Sequence, residues 1–255
     1  MRILLVNDDG YKAKGLRVLF DALSKNHDCL VCAPLGECSA TGHGITLRDP
    51  LRLRKFNHAG AEFHGISGLP ADAAKYGLTV LCENHKPELV ISGINAGANT
   101  GQNLFYSGTV AAAAEGVFNG IPSIAISLSA GNDADFEPAG RIALEVASRF
   151  EKHPFDGDTL LNVNVPACPD SEIKGYRLAK MGYARFHEVF TRREDPHGQE
   201  YYWMDGAKDG NDIDIETDDF LVHDNWISLA PLKLDLTHPE WRSVLTNWNL
   251  NDAEK

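Results

Sequence analysis

Five apolar runs, spaced by stretches of helical period, leave this chain little choice of fold class. The runs ILLV (3–6), CLVCA (29–33), ELVISG (88–93), PSIAISL (122–128) and TLLNVNVP (159–166) read as strands. They are short and mostly apolar, as strands buried on both faces of a parallel sheet are. Between them, GLRVLFDALSKN places Leu16, Leu19, Phe20 and Leu23 on one helical face. A second helix is expected around Ala71 to Cys82, a third in SGTVAAAAEGVFNG and a fourth in PAGRIALEVASRFEKH, with a further strand in EFHGIS. Repeated strand–helix alternation implies a mostly parallel sheet with helices on both faces. The length of 255 residues suits one large α/β domain or a domain with an appendage.

Beyond about Ile173 the texture changes. Strand-like pieces (YRLAKM, EYYWMD, NWISLAPL) alternate with turn signals such as DPHG and DGND, and Tyr201, Tyr202, Trp203 and Trp226 concentrate there. The expectation is a core over 1–172 and, over 173–255, β-hairpins projecting from the sheet with a short C-terminal helix near Pro239 to Asn249. Exposed aromatics on such hairpins serve self-association or form a satellite core. The acidic run from Asp209 to Asp219 lacks the twelfth-position Glu of a calcium loop and reads as a solvated loop.

A formal net charge of -12 argues against a general nucleic-acid backbone binder, which needs a basic footprint. It leaves room for a small phosphorylated substrate, because a bound metal reverses the local sign. No run approaches the ~18 apolar residues of a membrane span, and Arg2 alone precedes the first strand, so a cytoplasmic protein is expected. The five cysteines form no framework. Cys29 and Cys32 are a C-x-x-C within a strand, where residues three apart face opposite sides, so ordinary buried cysteine is the reading.

The chemistry gathers in three loops that follow three strands, at 7–10, 36–44 and 93–101. In a parallel sheet all three open on the same edge, where ligands bind. They offer Asp8, Asp9, Ser39, Thr41, His43, Asn95 and Asn99. Two adjacent carboxylates with neutral oxygens from Ser and Asn suit Mg²⁺ or Mn²⁺ rather than zinc. Ser107, Gly108 and Thr109 begin a helix, whose free N–H groups form an anion site, although Ser107 also suits a plain N-cap. The P-loop, the dinucleotide fingerprint and the G-x-S-x-G elbow are not found.

These residues resemble the SurE family, the survival-protein nucleotidases, over essentially the whole length. The resemblance rests on NDDG at 7–10, the Ser39 loop after AP, SGINAGANTG at 92–101, YSGTVAAAAEG at 106–116, LNVNVP at 161–166 and PLKLDLT at 231–237. It implies a Rossmann-like three-layer α/β/α core, with a C-terminal extension exchanged between subunits of a homodimer or homotetramer. It implies a metal-dependent phosphomonoester hydrolase acting on nucleoside 5′- and 3′-monophosphates, and in some members on short polyphosphate. Asp8, Asp9, Ser39 and Asn95 would be the metal ligands, one Mg²⁺ or Mn²⁺ per subunit. Asn99, Ser107, Gly108 and Thr109 would line the phosphate site, and Asp8 or Asp9 would act as base. A departure is Asn225-Trp226 before ISLAPL, where members often carry Gly-Tyr. The rival reading is a nucleotide or metal sensor that uses the same cage without turnover.

Overall fold

A computed structural model describes residues 1–183, 186–208 and 214–248. The chain begins β1 (Arg2–Val6), α1 (Lys14–Leu23), β2 (Asp28–Pro34), β3 (Leu53–His58), β4 (Ala61–Ile66), α2 (Pro70–Tyr76) and β5 (Leu89–Ala96). It continues through α3 (Gly108–Phe118), β6 (Ser123–Leu128), α4 (Glu137–Lys152), β7 (Thr159–Val165) and β8 (Tyr176–Leu178). Last come β9 (Phe186–Glu194), β10 (Glu200–Lys208), α5 (Asp218–His223), β11 (Ile227–Lys233) and α6 (Pro239–Thr246).

Nine strands form one sheet in the order β3-β4-β2-β1-β5-β6-β7-β11-β8. From β4 to β7 the neighbours are parallel. The apolar runs become these central strands because both faces are covered: Ile3, Leu4, Leu5 and Val6 are all fully buried. On one face α1 and α4 bury Leu16, Leu19, Phe20, Ile142, Val146 and Phe150. On the other, α2 and α3 present small side chains (Ala73, Ala74, Ala112, Ala113), which let the helices lie close to the sheet. The result is the expected three-layer α/β/α arrangement. The chain runs from β1 outward through β2 to β4, then returns to the other side of β1 at β5. That reversal opens a crevice at the carboxyl ends of β1, β2 and β5.

The tail departs from the expectation of hairpins alone. β11 lies inside the sheet, antiparallel to β7 with Leu229 opposite Val163, and β8 pairs parallel with β11. Ile227, Ser228 and Ala230 are buried, so this strand is core, not appendage. Only β9 and β10 make a separate hairpin, closed by the DPHG turn at 195–198. The exposed β3, with its alternating polar sequence LRKFNH, was not read as a strand and pairs antiparallel with β4. Residues 209–213 of the acidic run, including the DGND turn, and Asn249 lie outside the described residues. The end of that run is not a solvated loop: Asp218 and Asp219 are 0% and 5% exposed. Among the described residues, no helix is long and apolar enough to cross a membrane.

Candidate active site

β1 ends at Val6, and the turn that follows carries Asp8 and Asp9 into the crevice. Asn7 holds this turn, its side chain accepting from Gly10 N–H at 3.1 Å and donating to Gly10 C=O at 3.2 Å. Asp8 is 5% exposed, and its Oδ1 accepts a hydrogen bond from the Thr109 hydroxyl at 2.5 Å. Asp9 is less constrained, with the Ala96 N–H donating to its Oδ2 at 3.4 Å. Burial raises the Asp8 carboxyl above the usual range, against the pull of the Thr109 hydrogen bond. Burial first, and the Asp8 charge second, push Asp9 up to about 7. Neither makes an ion pair among the described residues. Two adjacent carboxylates, one buried and one half-buried, with no ion-pair partner among the described residues are an arrangement that a hard cation suits.

The other loops close on the pair. The Cys38 N–H donates to the Asp8 carbonyl at 2.8 Å, tying the 36–44 loop to the end of β1. Ser39 is exposed in that loop and donates from Oγ to Glu37 at 2.6 Å, which leaves the lone pairs of Oγ available. On β5 the register shifts between Ser92 and Asn95, and bulges of this kind re-aim side chains beside active sites. Asn95 donates from Nδ2 to Gly97 C=O at 2.7 Å, which leaves its Oδ1 free to ligate. Among the described residues no three or more His, Cys, Asp and Glu side chains are grouped so as to hold a metal ion by themselves. The donor set is two carboxylates with Ser and Asn oxygens, which fits an oxygen-seeking divalent ion.

The α3 N-terminus faces Asp8 of the pair. Ser107 caps the helix, its Oγ accepting from Val110 N–H at 3.1 Å, so the N-cap reading holds. At Gly108 an added Cβ would lie 2.8 Å from Asp8 Cβ and 2.9 Å from Pro70 Cγ. Only glycine permits the helix to start this close to Asp8. Asn99 is buried and its side chain donates to Ser127 Oγ at 2.9 Å. Its backbone is held by two residues of β7: Asn164 Oδ1 accepts from Asn99 N–H, and Asn162 and Asn164 both donate to Asn99 C=O.

Two of the residues proposed from sequence do other work. Thr41 donates to Cys38 C=O at 3.0 Å, folding its own loop. His43 meets buried Glu115 of α3 at 2.8 Å and stacks on Phe118 at 5.5 Å. Lys75 of α2 donates to the other Glu115 oxygen at 2.7 Å. Burial pushes the Glu115 carboxyl up, and the hydrogen bonds from His43 and Lys75 outweigh that and hold it below its usual range. Sequence reasoning missed Glu37, Glu115, Asn162, Asn164 and Asp218. The alternation Asn162-Val163-Asn164 was a readable signal, since polar residues two apart on a buried strand need a shared partner.

The model of the family described as Survival protein SurE matches residues 3–188. The chain belongs to the SurE family. The curated 5′-nucleotidase SurE of Cyanothece sp. is 40% identical, covering 97% of this chain and 96% of its own. The 5′-nucleotidase SurE of Thermosynechococcus vestitus is 42% identical, with the same coverage of 97% and 96%. In structure, the SurE protein of Aquifex aeolicus superposes with a TM-score of 0.86 at 35% identity, covering 97% of this chain and 99% of its own. At 97% coverage the superposition takes in most of residues 173–255, so most of the tail is shared with that structure.

Proposed function

We propose that this SurE protein is a metal-dependent phosphomonoester hydrolase, a 5′-nucleotidase that also accepts nucleoside 3′-monophosphates and short polyphosphate. The observation that carries the reading is the adjacent Asp8–Asp9 pair, with buried Asp8 set against the N-terminus of α3. Carboxylates and a helix N-terminus attract opposite charges, so their juxtaposition suits a cation and a phosphate side by side. Relatives called 5′-nucleotidase at about 40% identity over nearly the whole chain support the nucleotide as substrate.

Asp8, Asp9, Ser39 and Asn95 would hold one divalent ion, Mg²⁺ or Mn²⁺. Once bound, that ion supplies Lewis-acid polarisation of a phosphoryl oxygen. The N–H groups of Gly108 and Thr109, with the Ser107 hydroxyl, would bind the remaining phosphoryl oxygens and stabilise the charge that develops on them. Asn99 orients the loop beside them. Asp8 is fixed by Thr109, whereas Asp9 has one long hydrogen bond, so Asp9 is the residue free to take a proton from the attacking water. The protein works in the cytoplasm as a homodimer or homotetramer through its C-terminal extension, the β9–β10 hairpin and α6 forming the arm, while β11 stays in the central sheet.

Phosphate release from a panel of nucleoside 5′- and 3′-monophosphates and tripolyphosphate, with Mg²⁺, Mn²⁺ or EDTA, tests the reading. Metal-dependent turnover with the 5′-monophosphates in front supports it. Nucleotide binding with no turnover under any metal would make the protein a sensor.

A further inference from the structure

We infer that Asp218, at the start of α5, is a positioning residue for the substrate loop 96–101. The inference rests on the function proposed above and deepens it. That loop begins at the Ala96 N–H on Asp9 and carries Asn99 at its middle. It ends at Gly101, where the backbone turns into the left-handed region at φ +56° and enters the short 3₁₀ turn Gly101–Tyr106 that leads to Ser107. The Gly101 N–H donates to both oxygens of Asp218, at 3.1 and 3.2 Å, across 117 residues of sequence. The neighbouring pair repeats the link: Thr100 donates from Oγ1 to Asp219 Oδ1 at 3.0 Å.

Asp218 is itself rigidly placed. It is fully buried, accepts from Gly182 N–H at 3.0 Å and Asp219 N–H at 2.9 Å, and donates its own N–H to Lys180 C=O at 2.9 Å. A carboxylate in such a position is costly to bury unless several N–H groups converge on it, and here they do. The carboxylate therefore joins three separate stretches of chain, 99–101, 180–182 and 217–219, at one point. Its pull on Gly101 sets where the 3₁₀ turn starts, and so where the Ser107–Thr109 donors sit relative to Asp8. Displacements of about 1 Å in such donors are enough to cost large factors in rate.

The test compares full-length wild type with Asp218→Asn and Thr100→Val. Mn²⁺ affinity is measured by calorimetry with the metal alone. Affinity for inorganic phosphate is measured by calorimetry in saturating Mn²⁺, well below the melting temperature. Asp218→Asn should weaken phosphate binding about tenfold and lower kcat/KM at least as much, with Mn²⁺ affinity kept within about twofold. Thr100→Val, which removes one link from the loop side, should weaken phosphate binding about threefold. If Asp218→Asn does not fold, Thr100→Val decides on the same two affinities. Unchanged phosphate affinity overturns the inference, as does a parallel loss of Mn²⁺ and phosphate affinity, which a merely structural role would give. A wild type that binds phosphate but turns over no nucleotide sinks the proposed function and leaves this inference to the binding data.

Discussion

Asp8 and Asp9 are adjacent in sequence and differ in what holds them. Asp8 is clamped by the Thr109 hydroxyl, and Asp9 is held loosely and pushed up to about 7. A carboxyl raised in this way stabilises the fold fully below its unfolded value of 3.8, and that contribution disappears as pH climbs through about 7. In EDTA, the melting temperature of the wild type should therefore fall between about pH 4 and 7, and that of Asp9→Asn should fall less. Saturating Mn²⁺ should erase the slope by making the ionised form the favoured one. Gly108 gives a second prediction at this scale. With Asp8 Cβ only 2.8 Å from an added Cβ, Gly108→Ala must move the helix start or the carboxylate. We expect a loss of roughly 1–3 kcal/mol in urea denaturation and a larger loss of turnover than of Mn²⁺ binding.

At the level of elements, the site is a meeting of three strand ends and one helix start, braced from behind by β7. Asn164 serves both the N–H and the C=O of Asn99, so Asn164→Ala strands the buried Asn99 N–H and leaves its C=O to Asn162 alone. Its cost should be about 1–3 kcal/mol in denaturant unfolding, with phosphate binding weakened as well. The central strands and four principal helices were legible because apolar period and helical period are local signals. The carboxylate pair was legible because Asp8 and Asp9 stop an apolar run where a parallel sheet opens. The braces were not, because a buried polar residue is recognised by its partner, and the partners of Asp218 and Glu115 lie far away in sequence. Asp218 sits in a run so acidic that solvation was the natural reading, and only Gly101 and Gly182 reveal otherwise. β11 was misplaced for a related reason: ISLAPLK alternates like a hairpin strand, and whether its partner is β7 or a neighbour in sequence is a matter of topology.

For the whole molecule, the hairpin is one apolar part that a single chain leaves uncovered. Val189, Phe190, Tyr202, Trp203 and Met204 are all more than half exposed on it, a concentration seldom left to solvent. If the arm joins subunits, Trp203→Glu should shift the protein to a smaller species in light scattering, while its sheet-based core keeps its circular dichroism. The account stands or falls on the carboxylate pair acting with the α3 N-terminus. The most direct measurement is phosphate release from nucleoside 5′-monophosphates by wild type and Asp9→Asn, each assayed with Mn²⁺ and with EDTA. The account predicts turnover by the wild type in Mn²⁺, at least about a thousandfold less for Asp9→Asn and none in EDTA. Equal turnover by the two proteins in saturating Mn²⁺ would contradict it.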